Sequence, residues 1–147
     1  MRIYVSDVID APVEDVWAII RDFNGMPGYH PFITDSAIEG GLPSDAVGCI
    51  RSFHLGNGDH LREQLLSLSD RDHSCVYCIL DSPMPVRDYV AGYQLRPVTE
   101  DNRTFAEWWA EFGIDPADEE RIVAQVRDGT FRQAFKSIKE KLAGRRG

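Results

Sequence analysis

Apolar and polar residues alternate with a period of two along most of the middle of this chain, and two stretches switch to helical spacing. Residues 2–9, RIYVSDVI, alternate and predict a strand. Ala11 and Pro12 lead into VEDVWAIIRDF, where Val13, Val16, Trp17 and Ile20 recur at helical spacing behind the first-turn acids Glu14 and Asp15, so a short amphipathic helix is expected. Residues 24–31 contain two glycines and two prolines beside Met26, Tyr29 and His30, and predict a loop or a single helical turn. Strand signals follow at 33–39, 47–55, 59–69, 73–81, 88–98 and 103–112, each bounded by Gly, Pro, Asp or Asn. Short links between six consecutive strands predict an antiparallel meander. The chain closes on a long helix over 116–143, with Asp115 and Pro116 suited to its N-cap and first position. Ile122, Val123, Val126, Phe131, Ala134, Phe135, Ile138 and Leu142 give that helix a broad apolar stripe, which needs a sheet to cover it. Gly129 inside it costs about 1 kcal/mol relative to Ala, and marks a kink, room for a ligand, or a tolerated irregularity.

One hairpin breaks its own pattern. In VGCIRSFHL the odd positions Val47, Cys49, Phe53 and Leu55 form an apolar stripe interrupted by Arg51. On the returning segment DHLREQLLSLS, Leu61 and Leu65 flank Glu63 in the same way, and Gly56, Asn57 and Gly58 supply a turn that tolerates positive φ. Folding about Asn57 sets Arg51 opposite Glu63, with Cβ atoms roughly 5 Å apart on the inward face. A slip of one residue would expose Leu61 and Leu65, so the apolar pattern holds this register. Taking two charges out of water costs several kcal/mol each, and an apolar pair is often no less stable. The pair is therefore either a structural or rim ion pair or the polar centre of a ligand cavity.

Composition narrows the setting. At 147 residues the chain is expected to be one domain, 1–147, with no linker, repeat or low-complexity stretch. A net charge of −8, with Arg145 and Arg146 as the basic cluster, makes nucleic acid an unsuitable partner. The opening MRIYVSDVIDAPVEDV lacks the apolar run of a secretory signal, and no segment reaches the roughly 20 apolar residues of a membrane helix, so a cytoplasmic location without membrane insertion is expected. Three cysteines, Cys49, Cys75 and Cys78, follow no metal spacing, and strand alternation sends Cys75 and Cys78 to opposite faces; no metal or cofactor is called for.

Strand, short helix, six strands and long helix is the order of an α+β helix-grip fold, a curved seven-stranded antiparallel sheet around a C-terminal helix, with short helices after strand 1. Over nearly its whole length the chain resembles the SRPBCC superfamily of START and Bet v 1-like domains, and in particular the polyketide cyclase/dehydrase-like proteins. APVEDVWAIIRDFNGMPGYHP is similar to the family's first helix and following loop; GCIRSF, REQLLSLSD, DSPMPVRDYVAGYQLRPV and FAEWWAEF are similar to its strands. The nearest likeness is to lachrymatory factor synthase and its bacterial relatives, whose catalytic arginine and glutamate fall at GCIR and REQLL. That resemblance implies catalytic roles for Arg51 and Glu63, and a cavity between sheet and helix. The surrounding text departs from the plant enzyme, so its sulfenic acid substrate is not carried over.

The inward candidates for the wall of such a cavity are Phe53, Tyr77, Ile79, Tyr89, Ala91 and Tyr93, with core packing as the alternative for the tyrosines. Phe131 and Phe135 join them from the helix. In TFAEWWAEF either Thr104, Ala106, Trp108, Ala110 and Phe112 or Phe105, Glu107, Trp109 and Glu111 face inward, and apolar content favours the Trp108 set. His30 sits on the loop expected to cover the mouth, as a gate, a proton relay or a plain surface histidine. Two functions fit: an enzyme performing cofactor-free isomerisation, cyclisation or dehydration on a small apolar oxygenated compound, with Arg51 on a developing oxyanion and Glu63 moving a proton; or a carrier or sensor in which Arg51 anchors a ligand's carboxylate or carbonyl. A protein-interaction module is a third, should Phe105 and Trp109 face solvent. The expected partner is a small hydrophobic or amphipathic ligand, taken up by a monomer or homodimer.

Overall fold

The computed structural model describes residues 1–146, with side chains through Gly144. Its strands are β1 (Arg2–Ile9), β2 (Ile33–Ile38), β3 (Ile50–Leu55), β4 (His60–Ser69), β5 (Ser74–Asp81), β6 (Val86–Val98) and β7 (Arg103–Ile114). The helices are α1 (Val13–Ile20), α2 (Pro116–Val126) and α3 (Gln133–Arg146), with a π-helical turn, Arg127–Arg132, joining the last two. Single 3-10 turns lie at Met26–Gly28 and Glu39–Gly41. The seven strands form one antiparallel sheet in the order β1-β7-β6-β5-β4-β3-β2, a meander whose far edge is completed by β1 pairing with β7. This is the expected helix-grip arrangement.

Alternation decides which residues face the helix. On β7 the buried set is Thr104, Ala106, Trp108, Ala110 and Phe112, while Phe105 and Trp109 are half-buried on the other face. Trp109 lies across Gly92, its register partner, where only a missing Cβ leaves room for the indole. Tyr89, Ala91 and Tyr93 of β6 are buried as expected, and so is Cys75 of β5, whereas Cys78 is half-buried. Ile122, Val126, Phe131, Ala134, Phe135, Ile138 and Leu142 are the buried residues that the long helix lays on the sheet. α1 is pinned from three sides: Trp17 Nε1 donates to Asp70 Oδ1 at 2.8 Å, Tyr93 Oη to the Ile20 carbonyl at 2.7 Å, and Thr104 Oγ1 to the Ala11 carbonyl at 2.8 Å just before the helix.

The structure departs from the sequence pattern at several boundaries. β3 begins at Ile50, because Gly48 adopts φ 95° and turns the chain; Val47 is consequently 64% exposed and drops out of the apolar stripe, while Cys49 stays buried opposite Leu65. β6 begins two residues early and carries a bulge between Arg87 and Val90, where Asp88 takes φ 52°. The predicted single helix is interrupted at the π turn that contains Gly129.

Candidate functional site

Arg51 and Glu63 stand directly opposite each other on β3 and β4, as the turn about Asn57 requires. Each is almost fully buried, at 2% and 6% exposure. Arg51 donates from Nε at 2.9 Å and from Nη2 at 2.7 Å, both to the same oxygen, Glu63 Oε1. Its Nη1 donates to the Phe23 carbonyl at 2.9 Å. The Phe23 and Tyr77 rings flank the guanidinium, with centroids 3.9 Å and 4.8 Å from Cζ, so aromatic faces supply part of the solvation it has lost. Glu63 Oε2 makes no hydrogen bond to any described residue. Burial pushes the Glu63 carboxyl above its ordinary range, with Arg51 pulling the other way. Burial, the largest single effect, opposes the charge on Arg51, but Glu63 and the surrounding Tyr77, Tyr29 and Tyr93 together outweigh it and keep the guanidinium protonated.

Both residues line a cavity of about 700 Å³ between the sheet and the helix. Phe53, Tyr77, Ile79, Tyr89, Trp108 and His30, all expected at the site, lie on its wall as well. Trp108 Nε1 donates to the Tyr77 hydroxyl at 3.1 Å, and burial raises the pKa of both Tyr77 and Tyr89 well above the ordinary phenol value, so their protons are retained. The mouth is framed by exposed residues of three loops, Pro31 and Phe32, Gly56 and Asn57, and Pro83, together with Arg121 and Gln125 of α2.

Four expected wall residues, Ala91, Tyr93, Phe131 and Phe135, are not there. Tyr93, Phe131 and Phe135 pack around Trp108: Phe131 stacks on it at 5.0 Å between centroids and 15° between planes, Tyr93 lies at 4.9 Å and Phe135 at 5.7 Å. This cluster fills the space behind Trp108, so the hollow occupies only part of the gap between sheet and helix. The facing of each side chain followed from alternation, but its position along the gap did not.

His30 is 4% exposed, not a surface histidine. Its Nδ1 accepts from the Phe32 backbone N–H at 3.3 Å, which leaves Nε2 to carry the proton and donate to the Thr130 carbonyl at 3.2 Å. Burial lowers its pKa, more than the Thr130 carbonyl raises it. The ring thus joins the mouth loop to the π turn, whose Gly129 and Thr130 line the cavity. The π turn left a trace in the sequence: the buried positions of the long helix step from Val126 to Phe131, five residues, where α-helical spacing gives three or four. Tyr29 and Met84, also on the wall, carried no periodic signal because they lie in loops. Among the described residues no group of three or more His, Cys, Asp or Glu side chains is placed to hold a metal ion.

A sheet gripping a helix over a mostly apolar hollow with one buried ion pair defines a helix-grip protein with an internal cavity. The chain belongs to the family of polyketide cyclase / dehydrase and lipid transport proteins, within the SRPBCC superfamily; the family model matches residues 1–143. The abscisic acid receptor PYL7 of Arabidopsis thaliana is 26% identical over 110 residues, 73% of this chain and 51% of that protein, so the chain spans about half the length of this curated relative. The protein XoxI from Bacillus cereus superposes with a TM-score of 0.85 at 25% identity, over 99% of this chain and 98% of that one. Norcoclaurine synthase from Thalictrum flavum, solved with dopamine and hydroxybenzaldehyde, shares the fold with a TM-score of 0.77 at 12% identity, over 98% of this chain and 87% of that one. Among the described residues no helix is long and apolar enough to cross a membrane.

Proposed function

We propose that this protein takes a small, mostly apolar oxygenated compound into the cavity and transforms it by cofactor-free proton transfer, with Glu63 as general base and acid. The observation that carries this reading is the free Oε2 of Glu63 on the cavity wall, its partner oxygen fixed by two donors from Arg51. A buried carboxyl with raised proton affinity and one unoccupied lone-pair face suits the removal of a proton beside a carbonyl: returned to another carbon it completes an isomerisation, delivered to the alkoxide formed when the carbanion closes onto a second carbonyl it completes a cyclisation, and delivered to a departing hydroxyl it completes a dehydration with water as the leaving group. Arg51 holds Glu63 in position. Three of its five N–H groups already donate, to Glu63 and the Phe23 carbonyl, so it serves a developing oxyanion with its nearby positive charge and at most the second N–H of Nη1 or Nη2.

Native mass spectrometry of the purified protein identifies a retained compound, and conversion of that compound is then assayed. Glu63→Gln is expected to lose turnover while still taking up the compound, with affinity reduced by no more than about tenfold; turnover equal to wild type removes Glu63 from the chemistry. The second reading, a carrier or sensor without chemistry, draws support from the receptor relative PYL7. Retention of the compound by the wild-type protein without conversion decides for it.

A further inference from the structure

Resting on the reading of the cavity as a ligand site, we infer that its occupant is a neutral compound presenting a hydroxyl or N–H donor to Glu63 Oε2, and that carboxylates are rejected. Arginine in an apolar cavity ordinarily suggests a carboxylate ligand. Here that charge is already matched. Arg51 and Glu63 are 2.7 Å apart, the Phe23 carbonyl takes a third N–H, and aromatic rings flank the guanidinium plane. Three of the five guanidinium N–H groups are thereby engaged, and the Glu63 oxygen left without a partner is Oε2, an acceptor beside an ion pair whose net charge is zero.

A ligand carboxylate placed there would meet a second buried anion with no cation left to offset it, a penalty of several kcal/mol by the usual desolvation argument. Arg121, the other cation on the wall, has a side chain 63% exposed at the rim and paired with Asp118 at 3.0 Å. Water screens it, so it compensates little for a buried anion. Asn57, Asp59, Gln125 and Thr130 are exposed or half-buried lining residues, and His30 is committed to Phe32 and Thr130. The other buried polar groups of the wall are phenols: Tyr77 accepts from Trp108 Nε1 and keeps its own proton, and the hydroxyls of Tyr29 and Tyr89 donate to no described residue. Burial keeps all three protonated. The complementary ligand therefore carries one donor for Glu63 and a ketone, ether or hydroxyl oxygen able to accept from a tyrosine, on an otherwise apolar frame that fits about 700 Å³.

Three probes of one shape test this by calorimetry or fluorescence titration at neutral pH: naphthalene, 2-naphthol and 2-naphthoate. The expected order places 2-naphthol at least about tenfold tighter than 2-naphthoate, the scale of one hydrogen bond to a charged acceptor, with naphthalene between them. Naphthoate binding as tightly as naphthol, or more tightly, overturns the inference while leaving the cavity as a ligand site. Failure of all three to bind removes that site, and the inference with it. In Glu63→Gln, whose amide can itself donate, the naphthol preference should fall below about threefold; an unchanged preference shows that Oε2 is not the determinant. Should that variant fail to fold, the wild-type ratio still decides.

Discussion

His30 and Thr130 meet at 3.2 Å, imidazole Nε2 to backbone carbonyl, and join the loop before β2 to the turn where the long helix loosens. The neutral tautomer is required, because Nδ1 must accept from Phe32. Burial lowers the folded-state pKa below the unfolded value, so the unfolded chain binds the proton first as pH falls. Stability from this source is complete above the unfolded pKa of about 6.5 and is lost as pH drops through that value toward the folded one. Urea denaturation of wild type and His30→Gln across this range checks it: the difference between the two should shrink on acidification.

The buried pair gives an asymmetric result on mutation. Arg51→Met leaves the Glu63 carboxyl buried without its partner and should destabilise by about 3–5 kcal/mol, whereas Arg51→Met combined with Glu63→Leu should recover most of that loss. A double-mutant cycle by chemical denaturation measures both, and a double variant no better than the single would show that the ions support more than each other.

Gly92 predicts the opposite of the usual gain on replacing glycine with alanine. A Cβ there would lie 2.7 Å from the Cys75 carbonyl and 2.8 Å from Trp109 Cζ2, so Gly92→Ala should destabilise by about 1–3 kcal/mol and shift the Trp109 fluorescence. An unchanged midpoint would mean that the indole moves away freely.

Gly129 should respond the other way. Nothing lies within 4 Å of a Cβ built on it, so Gly129→Ala should stabilise by about 0.5–1 kcal/mol through the unfolded state, and a melting curve detects the gain. Its methyl would sit at the cavity wall, which makes ligand affinity a second readout of the same variant.

The register of Arg51 and Glu63 was legible because two independent signals agreed: a turn symmetric about Asn57, and the leucines at 61 and 65 that a slip would expose. The facing of Trp108 was legible from the apolar content of its set, Thr104, Ala106, Ala110 and Phe112, against the two glutamates of the other. The hollow's extent was not, since alternation reports which side of a sheet a residue takes and says nothing of whether Phe131 and Phe135 pack onto Trp108 or stand clear of it. His30 escaped for a related reason. Its partners are a backbone N–H two residues on and a carbonyl a hundred residues away, and main-chain partners leave no mark in composition.

The five-residue step from Val126 to Phe131 ties the phase of the terminal helix to its π turn. Were the segment to rewind as a continuous α-helix with all its residues kept, everything beyond would rotate by about 100° relative to α2. Phe135, Ile138 and Leu142 would then swing off the sheet together, and the Thr130 carbonyl would lose its aim at the imidazole. Removing one residue from 127–130 would cancel that rotation, because Val126 and Phe131 would then stand four α-helical steps apart, so a single-codon deletion here leaves the two halves of the helix in phase with the sheet.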